Sequence, residues 1–189
     1  MKIYTRSGDA GQASLFNGER LYKDDDVFQA LGDVDELNSA LGVADYAAQF
    51  CAASWRSSLE TIQSRLIDVG SAVATPLPTS DEDKLQRTHF AGKEHTEQLE
   101  AWIDAMDEDL PKLTKFILPS GGQAAACLHH ARSVCRRAER SVVVLSRRQA
   151  VSSEVNMYVN RLSDYLFTAA RHAAMTQGAV EKVYQKARS

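Results

Sequence analysis

The sequence predicts an all-α bundle of four or five helices. Apolar residues recur at helical spacing in five stretches, short breaker-rich segments join them, and no strand–helix alternation runs through the chain. The 189 residues suffice for one well-buried core, so a single domain over 1–189 is expected.

Residues 1–25 are rich in Gly, Asp, Asn and Ser and hold no sustained period, which predicts an ordered loop. Val27, Leu31, Val34, Leu37, Leu41 and Ala44 then recur at three and four, the stripe of a first helix that contains Gly32. Leu59, Ile62, Leu66 and Val69 mark a second helix over 55–73, ending before the breaker-rich TPLPTSDED. Leu99, Trp102 and Ile103 mark a third over about 93–106. The polar stretch 75–92 reads as a loop, a connection or a cover for substrate. LPKLTKFILPSGG reads as extended chain closed by Pro and two glycines, and two long helices follow over 123–145 and 152–176.

Charge narrows the function classes. Lys and Arg number 22 against 25 Asp and Glu, a formal net charge of -3, which argues against broad nucleic-acid binding. No run approaches the ~18 apolar residues of a membrane span. Three cysteines without a CxxC pair favour a reducing compartment over a disulfide scaffold. The start, MKIYTRSGDAG, shows neither a secretory apolar core nor a long basic amphipathic stretch.

Against that background, PSGGQAAACLHHARSVCRRAER sets four arginines within nine residues. Arg132, Arg136 and Arg140 follow at i+4 and Glu139 lies three beyond Arg136, so they share adjacent parts of one helix face. A guanidinium fork suits phosphate, and it equally suits a solvated face with salt links. The last helix carries Asn160, Asp164 and Arg171 in an otherwise apolar run, suited either to fixing bundle register or to holding a metal and sugar hydroxyls. Arg161 is expected to face away from Asn160, toward a subunit contact. TRSGDAGQASLFNG offers three glycines and the hydroxyls of Thr5, Ser7 and Ser14, a turn that can cradle a phosphate although it lacks the P-loop pattern. Arg20 and Lys23 extend it electrostatically. Asp33, Asp35 and Glu36 can serve as a helix-end cluster, metal ligands or partners of the arginines. His129, His130, Cys127 and Cys135 read as packing or solvated residues rather than metal ligands.

Four ordered blocks, KIYTRSGDAGQASLFNGE, LGDVDELNSALG, FILPSGGQAAACLHHARSVCRRAER and NRLSDYLFTAARHAA, resemble the PduO-type cobalamin adenosyltransferases over nearly the whole chain. The resemblance implies a five-helix bundle, assembled as a homotrimer with active sites between subunits. It implies transfer of the 5′-deoxyadenosyl group of ATP to the cobalt of cob(I)alamin, with triphosphate released and Mg2+ as cofactor. It assigns Thr5, Arg6, Ser7, Gly8, Asp9, Gly11, Ser14 and Lys23 to the nucleotide. Arg136, Glu139, Arg140 and Asn160 fall to the nucleotide or its Mg2+-triphosphate, with Glu139 as the metal ligand.

Asp35 and Arg132 match a charged pair bridging subunits, Phe116 the residue against the lower corrin face, and Asp164 a functional position of the last helix. With Arg136, Phe116 and Asp164 form the expected catalytic set. Arg6 and Ala10 stand where family members often carry lysines, and Ser14 where threonine is common. The resemblance further implies a reductase and an adenosylcobalamin-dependent mutase as partners, in the mitochondrial matrix of an animal or the cytoplasm of a bacterium. A nucleotide- or corrinoid-binding delivery module with little turnover, or a purely structural bundle, are the competing readings.

Overall fold

The computed structural model describes residues 4, 6–49, 51 and 55–187. A small hairpin, β1 (Gln12–Ser14) and β2 (Arg20–Tyr22), precedes α1 (Asp26–Ala47), α2 (Arg56–Val73), α3 (Glu82–Arg87), α4 (Gly92–Asp107), α5 (Gly122–Arg147) and α6 (Ser153–Thr176). The five long helices lie where the apolar period places them. Two stretches differ from expectation. The segment over 1–25 is not loop throughout, because Gln12 pairs with Tyr22 and Ser14 with Arg20 in antiparallel register. The 75–92 stretch folds one short helix, α3. Elements of three and six residues are too brief to develop a readable period.

Helix starts follow capping chemistry. The Asp25 carboxylate accepts from Val27 N at 2.9 Å, and the Ser152 hydroxyl accepts from Glu154 N at 3.2 Å, caps worth about 1 kcal/mol each. At the start of α5 the backbone itself decides. Gly121 has φ 100°, and a Cβ there would lie 2.5 Å from that of Ala174, so a side chain would collide with α6.

That contact also gives the direction of packing. Gly121 meets Ala174, while farther along α5 the Cys135 thiol donates to Val159 O at 3.3 Å, so α5 and α6 run antiparallel. Buried Ala124, Ala131 and Ala138 on α5 and Ala169, Ala170 and Ala173 on α6 keep both helices narrow. Packed on this pair, α1 lies against α5 and α4 against α6, and α2 lies beside α1. Leu37, Leu41, Leu59, Ile62, Leu66, Leu128, Leu162 and Leu166 fill the centre, fully buried. Each such side chain contributes about 1.5–3 kcal/mol of transfer free energy.

Some polar groups within the core are satisfied by long-range bonds. The Tyr165 hydroxyl lies against the Ser58 hydroxyl and donates to Trp55 O at 3.2 Å, which ties α6 to the start of α2. Burial pushes the phenol pKa of Tyr165 up, so it stays a donor. The hairpin is fastened as well: Phe16 N donates to Ala74 O at 3.1 Å, and Lys84 Nζ of α3 donates to Asn17 O at 3.2 Å. Among the described residues no helix is long and apolar enough to cross a membrane.

Candidate active site

The exposed seam between α5 and α6 carries several of the polar residues singled out in the sequence. Arg136 and Arg140 are exposed, and Arg140 Nη1 donates back to Arg136 O at 2.9 Å, which keeps both on the same stretch of face. Asn160 Nδ2 donates to Glu139 Oε1 at 2.8 Å across the seam. Asn160 and Asp164 are both exposed rather than packed in the core, since their i+4 stripe falls on the outer side of α6. Asp164 accepts from Arg161 Nη1 at 2.8 Å, and Arg161 Nε donates to Glu100 at 2.9 Å. Within the chain Arg161 is thus engaged by α4 and α6.

Beside this face lies a second network that sequence reasoning touched only in part. Asp33 of α1 is buried and accepts from Gln29 Nε2 at 3.1 Å and from the Ser141 hydroxyl. Arg137 pairs with Asp33 at 3.4 Å and also with Glu36. The α1 acids are therefore partners of the arginine helix, as one of the three readings had it, and the arginine is Arg137. A usable signal existed: Arg137 and Ser141 stand at i+4, as Asp33 and Glu36 stand at i+3.

Asp35 points elsewhere. It lines a cavity of about 300 Å3 between α1 and α2 with Phe16, Asn38, Ile67 and Gly70. Arg132 is half-buried, its guanidinium 5.8 Å from the centre of the Phe167 ring and its Nε without a protein partner. No ion pair joins Asp35 and Arg132 within the chain among the described residues. His129, one turn before Arg132, is buried, and His130 is exposed.

The amino-terminal turn closes on a lysine. A Cβ on Gly8 would lie 2.9 Å from Lys23 Nζ, so the ammonium sits against the 6–11 turn. Lys23 N donates to Gly11 O at 2.9 Å, and Arg20 Nη2 to Ser7 O at 3.2 Å. Arg6 and Gly11 both take positive φ, 60° and 78°, which folds the backbone of this turn tightly. Asp9 and Ser14 are exposed on the same segment, while Thr5 lies outside the described residues.

Phe116 stands apart from all of these. It is 83% exposed, beside exposed Leu113 and Leu118, although a large aromatic gains most by burial. Arg136 lies fourteen residues along α5 from Gly122, ~21 Å by helical rise, so the Phe116 patch and the arginine face occupy different levels of the bundle. A cavity of about 220 Å3 at residues 113–116 is separate from one of about 250 Å3 that Arg140 lines with Asp33 and Ser141.

Phosphate-suited arginines, a glycine turn under a lysine and an uncovered phenylalanine are now placed, and comparison with known proteins gives the combination its meaning. The family model for cobalamin adenosyltransferase matches residues 3–173. The chain belongs to the cobalamin adenosyltransferase family. It is 50% identical over 185 residues to the human (Homo sapiens) corrinoid adenosyltransferase MMAB, covering 98% of this chain and 74% of that one. The corrinoid adenosyltransferase of Bacillus subtilis (strain 168) is 38% identical over 188 residues, 98% of this chain and 93% of its own. Among solved structures, a phenylalanine-to-alanine variant of the PduO-type ATP:corrinoid adenosyltransferase from Lactobacillus reuteri, complexed with cobalamin and ATP, superposes with a TM-score of 0.90. It is 38% identical and covers 98% of this chain and 100% of its own. The five-helix bundle expected for an adenosyltransferase is the fold of this chain.

Proposed function

We propose that the chain transfers the 5′-deoxyadenosyl group of ATP to the cobalt of cob(I)alamin, forming adenosylcobalamin and releasing triphosphate. One observation carries this reading: the likeness, over 98% of the chain, to an adenosyltransferase solved with ATP and cobalamin. In the transfer the cobalt electron pair forms the Co–C5′ bond while the C5′–O bond breaks, its pair leaving on triphosphate. The corrinoid passes from cob(I) to cob(III), and no general base is needed because cobalt itself attacks.

The protein's work is orientation and charge neutralisation. Arg136 and Arg140 take the charge of the departing triphosphate, and Asn160 holds the nucleotide from α6. The 5–14 segment, with Thr5, Arg6, Ser7, Gly8, Asp9, Gly11 and Ser14, cradles phosphate beside Lys23. Its backbone fold around Gly8 and Gly11 supports that role, since a side chain at Gly8 would displace the Lys23 ammonium. With Arg6 and Ala10 in place of lysines, Arg6, Arg20 and Lys23 supply the cationic side chains of this turn.

Mg2+ fits this chain as a nucleotide-borne ion. Among the described residues no group of three or more His, Cys, Asp or Glu could hold a metal. Magnesium commonly binds through one or two carboxylates plus substrate phosphates, and Glu139, oriented by Asn160, offers one such carboxylate. Bound there, Mg2+ would neutralise triphosphate charge.

Phe116 lies against the lower corrin face and favours a four-coordinate cobalt, which accepts an electron more easily. Its exposure beside Leu113 and Leu118 supports this role. Asp164, held by Arg161, is the further functional position of α6. The chain acts as one domain over 1–189 and as a homotrimer, with Asp35 and Arg132 pairing across subunits. The absence of an ion pair for either among the described residues and the separation of Phe116 from the arginine face both favour shared sites. A reductase supplies the electron, and an adenosylcobalamin-dependent mutase takes the product. In an animal the reaction belongs to the mitochondrial matrix, in a bacterium to the cytoplasm.

The test is anaerobic absorbance of cob(I)alamin mixed with the protein and Mg-ATP, against a control without protein. Protein-dependent formation of a light-sensitive adenosylcobalamin spectrum with triphosphate release is the expected result. Binding of both substrates without conversion would overturn the transferase and assign a delivery module.

A further inference from the structure

After α6 the chain turns at Gly178, with φ 62°, and runs back over the segment that carries Phe116. Ile117 and Val183 form an antiparallel bridge. Tyr184 N donates to Phe116 O at 2.8 Å, Leu118 N to Lys182 O at 2.7 Å, and Lys182 N to the Ser120 hydroxyl at 2.8 Å. The backbone from Phe116 to Ser120 is thus held by a strap made of residues 182–184, itself an exposed segment.

A buried guanidinium lies where the strap begins. Arg171 of α6 is 6% exposed; its Nη2 donates to Pro111 O at 2.8 Å, and its Nε lies 3.6 Å from Glu181 Oε1. One side chain therefore grips the chain entering the Phe116 segment and the strap lying over it. The neighbouring His172 braces the same entry. Its Nδ1 accepts from Trp55 Nε1 at 3.0 Å, and its Nε2 faces the Asp109 carboxylate at 3.7 Å. A buried arginine is costly unless its charge is balanced, and here Pro111 O accepts one hydrogen bond while the Glu181 carboxylate faces the Nε as an ion pair at 3.6 Å, without a hydrogen bond.

We propose that Arg171, through Glu181 and the strap, is a positioning residue for Phe116, setting the height of the phenyl ring against the corrin and so the fraction of cob(II)alamin held four-coordinate. This rests on the reading of Phe116 given above. Arg171 is buried, so its reach to Phe116 runs through Pro111 and Glu181. The planar fork reaches Pro111 and Glu181 together, which a lysine ammonium cannot do.

The test compares wild type, Glu181→Gln, Arg171→Lys and Phe116→Ala as full chains loaded with Mg-ATP and cob(II)alamin. Electron paramagnetic resonance reads the four-coordinate fraction, and steady-state kinetics with a chemical reductant read kcat and the KM for ATP. Glu181→Gln, at the rim and nearly isosteric, guards against a buried variant that fails to fold. The expected result is a diminished four-coordinate signal and kcat lowered about tenfold in Glu181→Gln and Arg171→Lys, with KM for ATP at the wild-type value. A wild-type signal in Glu181→Gln while Phe116→Ala loses it would overturn the clamp and leave the Phe116 reading standing. Retention of the signal in Phe116→Ala would overturn both. A rise in KM for ATP equal to the fall in kcat would assign Arg171 and Glu181 to general stability and overturn the proposal.

Discussion

The amide of Asn160 and the carboxylate of Glu139 meet at 2.8 Å across the α5–α6 seam, and this bond leaves the second carboxylate oxygen of Glu139 for another partner. Outer partners that orient a ligating carboxylate typically change metal affinity 10–100-fold when removed. Asn160→Ala is therefore expected to raise the Mg2+ concentration for half-maximal activity by about tenfold, and Glu139→Gln by more. A magnesium titration at fixed ATP reads this. An unchanged titration curve for Glu139→Gln would remove Glu139 from the metal's surroundings.

Arg136 has its carbonyl bonded by Arg140 and its own side chain exposed at the seam. If it meets charge that develops on triphosphate, Arg136→Ala should lower kcat/KM by about 10²–10³, with an oligomer of unchanged size by size-exclusion chromatography. Arg136→Lys should recover only part of the loss, because an ammonium lacks the bidentate fork. Dissociation of the oligomer with nucleotide binding intact would instead give Arg136 a purely structural role.

Asp33 is the acid of this region whose role is stability. Buried between α1 and α5, it satisfies Gln29, Ser141 and Arg137, so Asp33→Ala should cost about 2 kcal/mol in urea unfolding through lost hydrogen bonds. Asp33→Asn, which still accepts from the Ser141 hydroxyl, should cost less. The KM for ATP should stay at the wild-type value in both.

His129 gives the protein an acid-side sensitivity. Burial, and after it the positive charge of Arg132, push its imidazole pKa down to about 4. The unfolded chain, with an ordinary value near ~6.5, binds the proton more readily, so protonation favours unfolding. The stability His129 allows is complete above about pH 6.5 and is lost as pH falls toward 4, by up to about 3 kcal/mol. Unfolding midpoints measured across this window should slope in the wild type and flatten in His129→Leu. Parallel slopes would remove His129 as the source.

The order of amino acids settles the five long helices, because each buries one stripe and the stripe repeats at 3.6 residues whatever the helix packs against. It also settles that Arg132, Arg136 and Arg140 share a face, since i+4 neighbours are set by the helix alone. The family blocks carry the chemistry, which spacing could not separate from a solvated surface. Tertiary structure decided the partners. Asp33 and Ser141 stand 108 residues apart, and only the packing of α1 on α5 brings them together. The same holds for Arg171 with Glu181 and for the strap on Phe116: short extended segments have no period to read, and their pairing depends on where the helices before them end. Long-range contact between polar groups is a property of packing geometry, which a periodic pattern orients and does not specify.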